Sequence, residues 1–187
     1  MPVVLHPRRR PDAAACAADR PRWRAAAGAA TAMNQRLLIG CGNTMRSDDG
    51  IGWRIAAALS ALELPGLRVE AVHQLTPELA PLIAAAEAVV FVDAALAADV
   101  AAGPALALQP LAGSDGQGRQ PLSHQLSPGD LLGLCRQLYG SQPPAWLLLM
   151  PAHELTIGDR LSPAAARAME PAVALLRGWA QERAGDA

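Results

Sequence analysis

The sequence predicts an α/β domain of three layers, a mostly parallel sheet of about five strands with helices on both faces. Three observations predict it. Apolar runs of strand length alternate along the chain with segments of helical period. Ala88-Val89-Val90-Phe91-Val92 is continuously apolar, as a central strand covered on both faces requires. Leu37-Leu38-Ile39 runs through Gly40-Cys41-Gly42 into an amphipathic segment, the strand–loop–helix order that opens an α/β unit.

The elements follow in order. A strand over Leu37 to Cys41 leads into a helix over Gly50 to Leu62, where Ile51, Ile55, Leu59 and Leu62 share a face. Glu63-Leu64-Pro65-Gly66 closes that helix, and Leu67 to His73 alternates as a second strand. Thr76-Pro77 starts a helix to about Ala86, with the threonine as N-cap and the proline at its first position. The central strand ends at Asp93. Pro104 to Gln109 reads as an edge strand because of its bounding prolines. Leu111 to Gln125 is a long glycine-rich loop, a length often tied to function. Ser127-Pro128-Gly129-Asp130 opens a helix to about Tyr139, and Trp146 to Met150 is a last buried strand. Ser162-Pro163 caps a terminal helix with Met169, Ala172, Val173, Leu176 and Trp179 on one face. A kink is expected at Pro171, which lacks the amide that would bond to Arg167.

The length of 187 residues fits one domain with a core that needs no disulfides. A formal charge of -1 and the lack of a basic stripe exclude nucleic acid as an expected partner. No apolar run reaches the ~18 residues that would cross a bilayer, so no membrane is expected. Three scattered cysteines, Cys16, Cys41 and Cys135, read as reduced thiols of a cytoplasmic protein. Residues 1–32, rich in Arg, Ala and Pro, read as a disordered leader or an over-long start, with Met33 as the natural beginning and 33–187 as the domain.

Asp49 and Asp93 are the first candidates for chemistry, since each follows a predicted strand where a doubly wound sheet gathers its ligands. Asp49 alone reads as a helix N-cap. Asp93 is harder to set aside, because a carboxylate at the edge of an apolar strand needs a partner. His124, between the glycine-rich loop and a helix start, is the third. If the three converge, they form an O/O/N set suited to nickel or zinc with positions left for water or substrate. His73 would line the same edge. Asp48 belongs to the turn or helix start, where negative charge is favourable. Other readings are weaker. His153-Glu154 lacks the second histidine of HExxH, as position 157 is Ile157. Gly40-Cys41-Gly42 lacks the third glycine of a dinucleotide fingerprint, where Met45 stands. An aspartic dyad of Asp49 and Asp93 would share a proton, but neither lies in an Asp-Thr/Ser-Gly triplet.

Gly40-Cys41-Gly42-Asn43-Thr44-Met45-Arg46-Ser47-Asp48-Asp49-Gly50-Ile51-Gly52 resembles the N-terminal signature of the nickel–iron hydrogenase maturation endopeptidases, G-x-G-N-x-[LM]-x-x-D-[DE]-G-x-G. Val92-Asp93-Ala94 resembles that family's second acidic motif and Ser123-His124-Gln125 its histidine motif. Leu161-Ser162-Pro163 and Met169-Glu170-Pro171-Ala172 are similar to its C-terminal helix, so the likeness spans Leu37 to about Ala180. Gln74 to Ala80 resembles the branch serving bidirectional, NAD-linked hydrogenases, while Met150 to Glu154 departs from the family's Gly-Ile-x-Pro pattern. The resemblance implies an endopeptidase, sometimes classed as aspartic-type, that removes the C-terminal peptide of the hydrogenase large-subunit precursor after nickel insertion. It implies Asp49, Asp93 and His124 as catalytic and metal-contacting residues, with the nickel carried by the substrate. The glycines and Asn43 would shape the turn. Two other readings remain from the residues: a nucleotide-binding α/β module without catalysis, and a self-contained metallopeptidase with a resident ion.

Overall fold

The computed structural model describes residues 35–96, 106–114 and 126–182, all within the unit Met33–Ala187. The expected leader and His124 lie outside them. Five strands form one sheet: β1 (Arg36–Cys41), β2 (Leu67–Val72), β3 (Ala88–Leu96), β4 (Gln109–Pro110) and β5 (Ala145–Ala152), in the order β2-β1-β3-β5-β4. All pairings are parallel except β4 with β5. The four main helices are α1 (Ile51–Ser60), α2 (Ala80–Ala85), α3 (Pro128–Tyr139) and α4 (Pro163–Gln181). Short 3-10 turns, Ser47–Gly50 and Pro77–Leu79, lead into α1 and α2.

The strand alternation builds two cores. Leu38, Val90 and Val92 face α1 and α4, where they meet Ile51, Ile55 and Leu176. Leu37, Ile39 and Phe91 face the opposite way, onto Ile83 of α2 and Leu131 and Leu132 of α3. The central strands are therefore buried on both faces, which accounts for their unbroken apolar run. The predicted three layers and mostly parallel five-stranded sheet are present. The terminal helix continues across Pro171, and Trp179 near its end packs edge-on against Trp146 at 6.2 Å between ring centroids. The Arg36 guanidinium lies over the same Trp179 ring and donates to its carbonyl.

Two boundaries differ from expectation for a tertiary reason. Of the strand expected over 104–109, residues 104–105 lie outside the described residues and 106–108 are not in a strand; pairing is confined to Gln109–Pro110, and Pro110 cannot donate to a ladder. β3 runs three residues beyond Asp93, because β5 offers partners as far as Leu96↔Ala152. On its other side β3 loses its partner sooner: the ladder with β1 ends at Gly40↔Val92. Asp93 is therefore the first residue of β3 with no strand beside it on the β1 side. The chain also reverses there. After β1 it crosses over α1 on one face to reach β2, then over α2 on the other face to reach β3. This reversal is the switch point where an α/β sheet opens a crevice.

Candidate active site

The crevice is a cavity of about 500 Å³ at the C-terminal ends of β1 and β3. Asp49 and Asp93 both line it, together with Cys41, His73, Ser127 and Asp130. Each side chain is positioned by its element. Asp93 shares the strand face of Val89 and Phe91, so it points toward the α2/α3 layer. Asp49 lies in the 3-10 turn, Ser47–Gly50, that carries the chain from β1 into α1.

The turn is tight, and its glycines are needed where backbones touch. Gly42 has φ near +139°, and a Cβ there would lie 1.8 Å from the Asp49 carbonyl oxygen. Gly52 lets the start of α1 rest on the sheet, since a Cβ would come within 2.4 Å of the Cys41 and Val92 carbonyls. Asn43 closes the turn, its Oδ1 accepting from Met45 N–H at 2.9 Å. Asn43 N–H in turn donates to Asp49 Oδ2 at 3.2 Å. The Asp49 side chain is thus held by the turn and does not act as a helix cap, for Gly50 is the N-cap of α1 and makes no side-chain capping bond.

Electrostatics couple the two carboxylates. Burial raises the Asp93 carboxyl above its ordinary value; the Ala94 N–H, donating to Oδ1 at 2.8 Å, offsets part of this, and the nearby Asp49 charge adds to the rise. Cys41 is pushed up to about 12, first by burial and then by Asp93. At neutral pH it is a thiol, a poor nucleophile. Asp130 also lines the cavity but is spoken for. It completes a capping box with Ser127 at the start of α3 and accepts from Ser114 Oγ at 2.8 Å; the Ser127 and Ser114 hydroxyls hold its carboxyl low.

The neighbouring carboxylate has a different fate. Asp48 is fully buried. Its oxygens accept from His153 N–H at 2.9 Å, Glu154 N–H at 3.0 Å, Ser162 N–H at 2.7 Å and Ser162 Oγ at 2.8 Å. Burial pushes its carboxyl up, yet these bonds outweigh burial and hold it below the usual range. Placing it in the turn was right but incomplete: Asp48 fastens the β1–α1 loop to the loop between β5 and α4. His153 and Glu154 spend their amides on this bond, and neither side chain lines the cavity.

Of the expected set, the structure brings Asp49 and Asp93 to one cavity, while His124 is outside the described residues. Among the described residues no group of three metal-binding side chains is present. His73 does reach the cavity. Its Nδ1 lies 3.2 Å from the Gly42 carbonyl oxygen, an acceptor only, so in the neutral ring Nδ1 carries the proton and Nε2 is free to accept. Its place just past β2, the neighbour of β1, was the one signal for it.

No protein-family model matches the chain, nor does any curated protein sequence. Solved structures do. HycI, a NiFe hydrogenase maturation protease from Thermococcus kodakarensis KOD1, superposes with a TM-score of 0.60 at 19% identity, over 80% of this chain and 94% of that one. The hydrogenase maturating endopeptidase HybD from E. coli gives 0.60 at 22% identity, over 78% and 91%. This is the hydrogenase maturation-protease fold. A hydrogenase 2 maturation peptidase from a Thaumarchaeota archaeon shares it as well, with a TM-score of 0.56 at 23% identity over 79% of this chain and 99% of that one. Asp49 and Asp93 therefore open onto one cavity within the maturation-protease fold.

Proposed function

We propose that residues 33–187 form an endopeptidase that removes the C-terminal peptide of a nickel–iron hydrogenase large-subunit precursor once nickel has been inserted. The observation that carries this reading is the meeting of Asp49 and Asp93 in one cavity, at the switch point of a fold shared with proteins named for that activity. The chain has no other arrangement suited to peptide hydrolysis among its described residues: the cavity thiol is held protonated, and the HExxH half-motif faces elsewhere.

In this reading the nickel belongs to the substrate. Asp49, Asp93 and His124 cap the ion that the precursor already holds, so cleavage follows only correct metal loading. An approaching dication favours the ionised form of Asp93, reversing the effect of burial. A carboxylate beside the scissile bond can then take a proton from the attacking water. That work falls to Asp49 or Asp93. The likeness to the nucleotide fingerprint is disfavoured, because the same two carboxylates put negative charge where a phosphate would sit. The buried thiols Cys41 and Cys135 suit a reducing cytoplasm, and no helix of the described residues is long and apolar enough to cross a membrane.

The test is incubation of the purified chain with nickel-loaded precursor, read by intact mass. Loss of one C-terminal peptide is expected, and an unchanged precursor mass overturns the proposal. Metal analysis of the protein without substrate separates it from a self-contained metallopeptidase. The substrate-borne model expects no bound metal, whereas a stoichiometric ion would favour the other enzyme.

A further inference from the structure

A second concavity, about 620 Å³ in volume, lies between α1, α4 and the loop that joins β5 to α4. It carries no histidine and no nucleophile, so its chemistry is recognition. Trp53, Leu161 and Met169 make an apolar part of the lining, and two arginines, Arg54 and Arg160, line it beside the single carboxylate of Asp159. Arg54 is held by donation to the Asp159 backbone carbonyl, which leaves that carboxylate uninvolved in the contact. Its Nε is buried without a partner, an arrangement that calls for an explanation. Trp53 is 38% exposed in spite of its size.

The groove is tied to the carboxylate cavity by backbone bonds. Gly158 N–H donates to the Met45 carbonyl at 3.0 Å, and Ser47 N–H donates to the Gly158 carbonyl at 2.8 Å. Asp48 fixes both ends of the same loop. The crest of this joined unit carries two exposed apolar side chains, Met45 at 60% and Ile157 at 92%. Exposed apolar surface edged by charge marks protein contact. An apolar lining with excess guanidinium charge is complementary to a polypeptide that presents carboxylates beside apolar side chains.

We propose that this groove and crest dock an acidic, apolar-flanked segment of the protein substrate, seating the precursor while its processed end lies at Asp49 and Asp93. The inference rests on the endopeptidase reading above. It supplies selectivity at a distance from the scissile bond, as binding energy remote from the chemistry can. Residues 1–32 of this chain, rich in arginine, have the wrong charge to be the occupant.

The experiment is steady-state cleavage of nickel-loaded precursor by the full chain and by Arg160→Glu and Ile157→Ser, with circular dichroism to confirm folding. Both positions are on the surface, so folded variants are expected. The KM should rise about tenfold in Arg160→Glu, less in Ile157→Ser, with kcat within twofold, and the arginine effect should shrink in high salt. Unchanged KM in both variants overturns the docking site and leaves the endopeptidase intact. A wild-type chain that cleaves no precursor overturns both. A dimer in solution that Arg160→Glu dissolves gives the surface to a second copy and also overturns the proposal.

Discussion

Asp48 and Asp49 are adjacent, chemically identical, and set in opposite environments. Asp48 faces the β5–α4 loop, where three backbone amides and one hydroxyl converge on it. Asp49 faces the crevice, where a single amide reaches it and a second carboxylate stands nearby. The difference teaches how to separate structural from chemical carboxylates. A buried charge whose hydrogen-bonding capacity is filled stabilises the fold and has nothing left to offer a ligand. A carboxylate left short of donors, buried and with a second carboxylate beside it, as Asp93 is, is raised above its ordinary value, and a group so perturbed in a crevice is a candidate for chemistry.

Substitutions can break this comparison. Asp49→Ala and Asp93→Ala should each lower cleavage of the precursor by about 10²–10⁴-fold, the usual range for a lost acid–base group. Their thermal midpoints should stay at or above wild type, since no buried donor is left without its acceptor except the local Asn43 and Ala94 amides. Asp48→Ala should do the reverse. It strands the buried amide and hydroxyl of Ser162 together with the part-buried His153 and Glu154 amides, and should cost about 3 kcal/mol in chemical denaturation. A loss near zero would show that the four bonds do not hold the two loops together.

The pH dependence sharpens the same contrast, because the two shifts have opposite sign. The Asp48 carboxyl is lower in the fold than its ordinary 3.8. It therefore contributes stability above pH 3.8 that is lost as the pH falls toward its folded value. The Asp93 carboxyl is higher than 3.8 in the fold. From pH 3.8 upward the folded state holds a proton that the unfolded chain has released, so this group makes stability fall as pH rises to its folded value. Asp93→Asn should remove that fall, and denaturation of the two proteins at several pH values measures it. The smallest effect belongs to Ser127, which lines the cavity only as a cap. Ser127→Ala should cost about 1 kcal/mol of stability and leave the cleavage rate near wild type.

Most of the layer structure was legible in the sequence because it is written locally. Continuous Val89–Val92 marks a strand covered on both faces, and Ser127-Pro128-Gly129-Asp130 marks a helix start that the structure bears out. Asp49 and Asp93 could be picked from strand ends. What sequence alone could not show depends on partners far along the chain. The donors to Asp48 lie 105 to 114 residues away, so nothing near it announces burial. β3 extends past Asp93 only because β5 runs beside it. His73, by contrast, is placed at the same edge by its position closing the second strand, and the structure seats it in the cavity because β2 lies next to β1.

In the proposed function, the substrate's metal is the key to the cavity of Asp49 and Asp93. The most direct measurement is the cleavage rate of nickel-loaded against nickel-free large-subunit precursor under one set of conditions. Cleavage of the loaded form alone is expected. Equal rates on the two forms would contradict it.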